Sequence, residues 1–191
     1  MQAQPRIVGN HVYFFRDGDP FTVPGAGVAS RTAKPGITDA GWIEFGNVNK
    51  LDIVHDKEEK EIYAPAPSRL ELFDVLQNKR KTSIKFDTQN LTPIAYELAF
   101  HTKPLTGAGA NAAAAAANQA AFNPGSGNPI KGWLHVEQFG PDSDVTPINT
   151  VDLYVYLALD GDLKFDENVV AVSMQATKLT STLNVGALIA G

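Results

Sequence analysis

The 191-residue sequence contains no cysteine. That absence excludes a disulfide framework, a thiolate metal site and a cysteine nucleophile, and leaves the redox compartment unreadable. Long apolar runs are missing too. No stretch approaches the ~20 residues of a membrane-spanning helix, and Met1 to Gly9 lacks the basic flank and apolar core of a leader segment. The expectation is a chain made in the cytoplasm, with no membrane insertion. Positive charge is in short supply: 16 Lys and Arg against 21 Asp and Glu leave a formal charge of -5, the wrong sign for a protein that holds nucleic acid through its phosphates. Charged residues make up only 19% of the chain, too few for a coiled coil, while 43% hydrophobic content is too high for a disordered one. What remains is one globular domain over residues 1–191.

Hydrophobic periodicity divides that domain. Ile7 to Phe15 alternates as a strand, with Val8, Val12 and Phe14 on one face. Residues 16–41 carry Pro20, Pro24, Pro35 and several glycines, which forbid a long helix or central strand and predict a long loop that serves as a contact arm. Trp42 to Val54 has period-two phase with Gly46-Asn47 interrupting it as a bulge or turn would. Residues 55–79 open with mixed charges and pass through Ala64-Pro65-Ala66-Pro67, predicting an exposed hairpin or arm; within it, Ser68 to Gln77 fits either a strand or a helical stripe. Arg80 to Gln89 alternates again, with Thr82, Ile84, Phe86 and Thr88 on one face. Thr92-Pro93 gives an N-cap and a proline at the first helical position, so a short amphipathic helix runs to His101. Residues 104–129 form an Ala/Gly-rich excursion. Three further strands follow, Ile130 to Phe139, Asn149 to Leu159 and Val169 to Leu179, with Asp160-Gly161 as a turn signal. The uncharged tail from Thr180 suits packing on a neighbouring surface. No internal repeat is present. The expected fold is mainly β: an antiparallel β-sandwich or barrel with one flanking α-helix and long loops.

A search for chemistry returns little. His11, His55, His101 and His135 share no ligand spacing. Asp160, Asp162, Asp166 and Glu167 miss the ligand pattern of a calcium loop, since Gly161 stands at position 2 and Lys164 at position 5. Gly107-Ala108-Gly109 lacks the context of a phosphate cradle, and Gly125-Ser126-Gly127 is no nucleophile elbow. Paired carboxylates such as Glu58 and Glu59 lie in wet segments, where nothing raises a carboxyl pKa. The basic run Lys79-Arg80-Lys81 lacks the interleaved aromatics of a nucleic-acid patch. The sequence therefore predicts no enzyme, no catalytic residue, no metal and no cofactor.

One resemblance covers Gly41 to Phe100. Its parts are Trp42, Gly46 and Val48 in a W-x-x-x-G-x-V opening, and the charged segment Glu58-Glu59-Lys60-Glu61 closing on Tyr63. The strand from Lys81 to Gln89 and the helix Asn90-Leu91-Thr92-Pro93-Ile94-Ala95 onward complete it. This order resembles the tail tube proteins, or major tail proteins, of long-tailed bacteriophages. The Ala-rich excursion and the stretch from Asp74 to Lys79 depart from that pattern. The resemblance implies a virion structural protein whose copies form hexameric rings stacked into a tail tube. DNA is ejected through the tube without stable binding, and the tail tip, tape measure and tail terminator proteins are its other partners. On this reading the arm makes subunit contacts, with Glu58, Glu61, Tyr63, Arg69, Leu72 and Phe73 as interface candidates. Asp152, Ser173 and Gln175 are lumen candidates, because they alternate with the core positions of their strands. Charge distribution agrees. Residues 132–191 hold eight acids and two bases, whereas residues 1–131 hold thirteen acids and fourteen bases. A conduit must not capture phosphates.

Two other readings compete. One is another phage structural protein, a capsid decoration or minor tail protein, or the similarly folded tube protein of a contractile secretion system. The other is a ligand-binding β-sandwich using Trp42, Trp133, Tyr154 and Tyr156 as a stacking platform.

Overall fold

The structure is a computed structural model that describes residues 7, 9–21, 27–89, 92–101, 129–141, 145–161 and 172–188. Most of the expected excursion 104–129, together with Asp162, Asp166 and Glu167, lies outside the described residues. The elements are β1 (Gly9–Arg16), β2 (Ile43–Ala66), β3 (Arg69–Thr88), α1 (Pro93–Phe100), β4 (Ile130–Phe139), β5 (Asn149–Leu159), β6 (Val172–Lys178) and β7 (Val185–Leu188). The fold is mainly β with a single short helix among the described residues, as the periodicity predicts.

Every strand pairing is antiparallel. The sheet order is β4-β1-β2-β3-β6-β5-β7, and β4 also pairs with β5, so the ladder passes round six strands. The inward side chains fill the interior: Val12 and Phe14 from β1, Phe45 from β2, Ile84 and Phe86 from β3, Leu134 from β4, Val155 and Leu157 from β5, Met174 from β6. Alternation places all of these but Leu134, because a strand presents every second side chain to the same face. Gly46 has φ +73° where β2 gains one residue on β1, between the pairs His11↔Asn47 and Tyr13↔Glu44. It supplies the left-handed residue that such a bulge needs.

The helix begins at Thr92, as expected, although the threonine hydroxyl makes no capping bond, and it ends on His101 in the left-handed region. Ile94, Ala95 and Leu98 join the interior cluster. Glu97 is buried and holds Arg16 at 2.6 Å. Losing one partner of such a pair strands a charge in a dry site and costs about 3–5 kcal/mol.

A second, smaller cluster lies on the outside of β1, β4 and β5, where Phe15, Trp133 and Tyr154 are covered by Ala29, Phe21 and Trp42. The cover is the described part of the 16–41 loop. Within the loop the Gly18 N–H donates to the Ala29 carbonyl and the Ala29 N–H to the Asp19 carbonyl; the Asp17 N–H donates to the Lys131 carbonyl of β4, and the Trp133 indole donates to the carbonyls of Ser30 (2.9 Å) and Ala33 (3.2 Å). The long loop expected as a contact arm packs, in its described residues, on its own barrel. The tail does likewise. β7 pairs with the first residues of β5, and the Asn184 side-chain oxygen accepts the Tyr154 N–H at 2.7 Å.

Candidate interaction surface

β2 and β3 form one hairpin much longer than the barrel beneath it. The β1 ladder on β2 runs only from Ile43 to Val48, and the β6 ladder on β3 only from Ser83 to Thr88. Beyond those limits the two strands pair, among the described residues, with each other alone, through Asp56↔Lys81 and onward to Ala66↔Arg69. The projecting ribbon extends roughly 40 Å at ~3.3 Å per residue. The ambiguous stretch Ser68 to Gln77 is resolved as strand, with the turn at Pro67-Ser68. Pro65 sits opposite Leu70 near the tip, where a missing N–H costs no interior ladder.

Cross-strand partners share a face, so the register divides the ribbon's side chains. One face continues the barrel interior: Leu51↔Phe86, Ile53↔Ile84, His55↔Thr82, Lys57↔Arg80, then Glu59↔Gln77, Glu61↔Val75, Tyr63↔Leu72 and Pro65↔Leu70. The opposite face carries Glu58↔Lys79, Lys60↔Leu76, Ile62↔Asp74 and Ala66↔Arg69. β3 has one extra residue at each of two bulges, between the rungs of Glu58 and Glu59 and between those of Ile62 and Tyr63. The inner bulge brings Gln77 and Val75 onto this face and the outer one returns Leu72 and Leu70 to it; with the period of two unbroken, Val75 would lie on the opposite face.

The result is an apolar surface that none of the described residues covers. Leu70 is 67% exposed, Leu72 54%, Phe73 76% and Tyr63 51%. The six interface candidates all lie on this ribbon, but not on one face. Glu61, Tyr63 and Leu72 share the interior-continuous face, Glu58 and Arg69 share the other, and Phe73 lies at the outer bulge. The charged members are locally engaged: Glu58 with Lys79 at 2.8 Å, Arg69 with Glu71 at 2.7 Å, and Glu61 as acceptor of the Tyr63 hydroxyl. That hydrogen bond, and the carboxylate's charge, raise the Tyr63 pKa.

The lumen candidates are placed differently. Ser173 and Gln175 are half-buried on the outer face of β6, opposite Asp87 and Lys85 of β3. Asp152 is not a free carboxylate. It accepts hydrogen bonds from Lys34 at 2.6 Å and shares a 2.6 Å bond with His135, its cross-strand partner, whose other ring nitrogen lies 3.3 Å from Glu137. Burial pushes the Asp152 pKa up, but the bonds from His135 and Lys34 outweigh it and the net shift is downward. For His135 burial pulls down, while Asp152 and then Glu137 pull up more strongly, so the imidazole titrates above its ordinary value. Sequence reasoning missed Lys34 and His135 as partners. The β4–β5 connection is too long to fix their register, and Lys34 arrives from the loop.

The proposed stacking platform does not form. Trp133 and Tyr154 are buried under the loop, and burial followed by the Asp17 hydrogen bond pushes the Tyr154 pKa up to about 12. Trp42 packs edge-on against Phe15 and gives its indole N–H to the Gly36 carbonyl at 2.8 Å, leaving Tyr156 as the exposed member of the four. Among the described residues no group of three or more acids and histidines is placed to hold a metal ion, and no helix is long and apolar enough to cross a membrane.

No family model matches the chain, and no curated protein matches it. Among solved structures, a chain of the six-fold symmetrised cryo-EM structure of the anti-feeding prophage baseplate is similar to it over 99% of both chains, with 10% identity and a TM-score of 0.45.

Proposed function

We propose that this protein is a structural subunit of a phage tail tube, polymerising as stacked hexameric rings through which DNA is ejected. The observation that carries the reading is the projecting ribbon. It exposes Tyr63, Leu70, Leu72 and Phe73 together, and isolated two-stranded hairpins are marginal in water. A partner that lies along the ribbon would supply both the missing cover and the missing strand neighbours. The resemblance of Gly41 to Phe100 to tail tube proteins identifies that partner as another copy of the chain. The tail tip, tape measure and terminator proteins would bound the tube, and the protein would reside in the virion tail.

The lumen falls to the outer face of β6, where Ser173 and Gln175 offer phosphate no charge to hold; Asp152, opposite β4 and β7 and matched by Lys34, lies beyond the β5–β6 ladder. Gln175→Lys would add a circle of positive charge per ring and slow DNA ejection at low salt; ejection at the normal rate would remove Gln175 from the channel. The assembly itself is tested by electron microscopy of concentrated full-length protein, where rings or tubes are expected. A chain that stays monomeric at high concentration and fails to extend a supplied tail tip would overturn the proposal.

A further inference from the structure

At the root of the ribbon the barrel opens into a cleft of about 560 Å³. It forms where β6 ends: past Lys178 the strands β3 and β5 are no longer bridged, since the β6 pairings stop at Ser83↔Thr177 and Val155↔Lys178. Its apolar lining includes Ile53, Ile84 and Leu153, and its cationic lining is Arg80 and Lys178. Ile53 is 56% exposed despite lying on the face that continues the core.

The charges here are uncompensated. The neighbouring ribbon cations Lys57 and Lys79 each hold a carboxylate, whereas Arg80 and Lys178 form no ion pair among the described residues. Among the described residues no acidic side chain lines the cleft. It is therefore an apolar recess with a positive rim, complementary to an apolar segment that carries a carboxylate.

The ribbon tip presents such a segment on a single face: Tyr63, Leu70 and Leu72, with Glu61 between them and the root. Glu61 takes the Tyr63 hydroxyl but no cation among the described residues. The tip cannot reach its own cleft, because the rungs at His55 and Tyr63 lie roughly 25 Å apart along a paired ribbon. We propose that the cleft is the socket for the ribbon tip of a second copy of this chain, with Leu70 and Leu72 on the apolar lining and Glu61 against Arg80 and Lys178. The contact is head-to-tail, so it propagates rather than closing a pair. This inference rests on the reading of the ribbon as a self-association element and adds where the ribbon docks.

The absence of cysteine makes the test clean. Full-length Leu72→Cys and Thr180→Cys chains, the second variant marking the cleft, are mixed at high concentration under mild oxidation. Leu72→Cys with Gln89→Cys, a position near the far end of β3, serves as the control. Covalent mixed dimers are expected well above the control, and Arg80→Glu with Lys178→Glu in the Thr180→Cys chain should weaken docking about tenfold or more, returning the yield to the control level. Adding Glu61→Lys to the Leu72→Cys partner should restore it. Yield at the control level, or yield unchanged by charge reversal, overturns the socket. If the unmodified protein still forms tubes in that case, self-assembly stands and only the docking site is wrong; if it forms none, both readings fall together.

Discussion

The inner and outer halves of the β2–β3 hairpin have the same strands and the same alternation, yet opposite fates. In the inner half Ile84 and Phe86 are 3% and 2% exposed; in the outer half Leu70 and Leu72, on the continuation of the same face, stand bare. What differs is the company. β1 and β6 flank the inner half and bring the rest of the barrel over its face, while among the described residues the outer half has neither a third strand nor a second layer. Burial is thus decided by what the chain brings alongside a strand and not by the strand's own pattern. In the outer half the apolar pattern is kept up where the described residues supply no cover.

Matched truncations separate the halves most sharply. Phe86→Ala removes a fully buried ring from the interior and should cost about 3–5 kcal/mol in denaturant-induced unfolding. Leu72→Ala, on the same face of the same strand, should leave monomer stability within about 0.5 kcal/mol of the parent, because an exposed side chain vacates no packed site. It should nonetheless impair sedimentation into assemblies. Equal costs in the monomer would mean that the outer half is already covered within the chain, and the contrast would collapse.

Removing the outer half altogether is the next step. Excising Lys57 to Arg80, a cross-strand pair, and joining Asp56 to Lys81 through Asn-Gly should leave the barrel ladders intact, since a two-residue turn of that type matches the strand twist. A cooperatively folded monomer that no longer polymerises is expected by thermal melting and electron microscopy. Tubes of normal length and stability would show that the ribbon is dispensable for assembly.

Where a local signal existed, the sequence was legible. Strand alternation located the core positions of β1, β3 and β5. Gly46 marked a bulge because a left-handed residue there needs glycine, and Thr92-Pro93 marked the helix start. The two bulges in β3 left no trace, for neither falls on a glycine, and the outer one, at Phe73, breaks the alternation within Ser68 to Gln77. The cover over Trp133 was equally hidden. Its indole is satisfied by carbonyls of Ser30 and Ala33, and backbone acceptors have no sequence signature. Asp152 could be read as facing away from the core, which it does, but not as matched by Lys34, a residue 118 positions away. The positive cleft escaped because Arg80 and Lys178 meet only through the β3–β6 pairing.

The smallest effect distinguishes the halves by pH. In the barrel, His135 is enclosed by Asp152 and Glu137 and its pKa is raised above 6.5. A group with a raised folded pKa stabilises fully below its unfolded value, and that contribution is lost as pH rises through the folded one. Stability should therefore decline from about pH 6.5 upward as the proton leaves His135 and its second bond, to Glu137, loses its charge. Asp152, with a lowered pKa, contributes above 3.8 and loses its share only as pH falls through its depressed value, so acid weakens the same cluster from the other side. The ribbon's pairs, Glu58 with Lys79 and Arg69 with Glu71, are exposed, and pairs of that kind are worth little in water and less in salt. Melting temperatures measured between pH 6 and pH 9 should accordingly show the same slope in the full chain and in the ribbon-excised chain, and a flatter one in His135→Gln. A slope that disappears with the ribbon and survives His135→Gln would place the titrating group in the outer half and reverse the assignment.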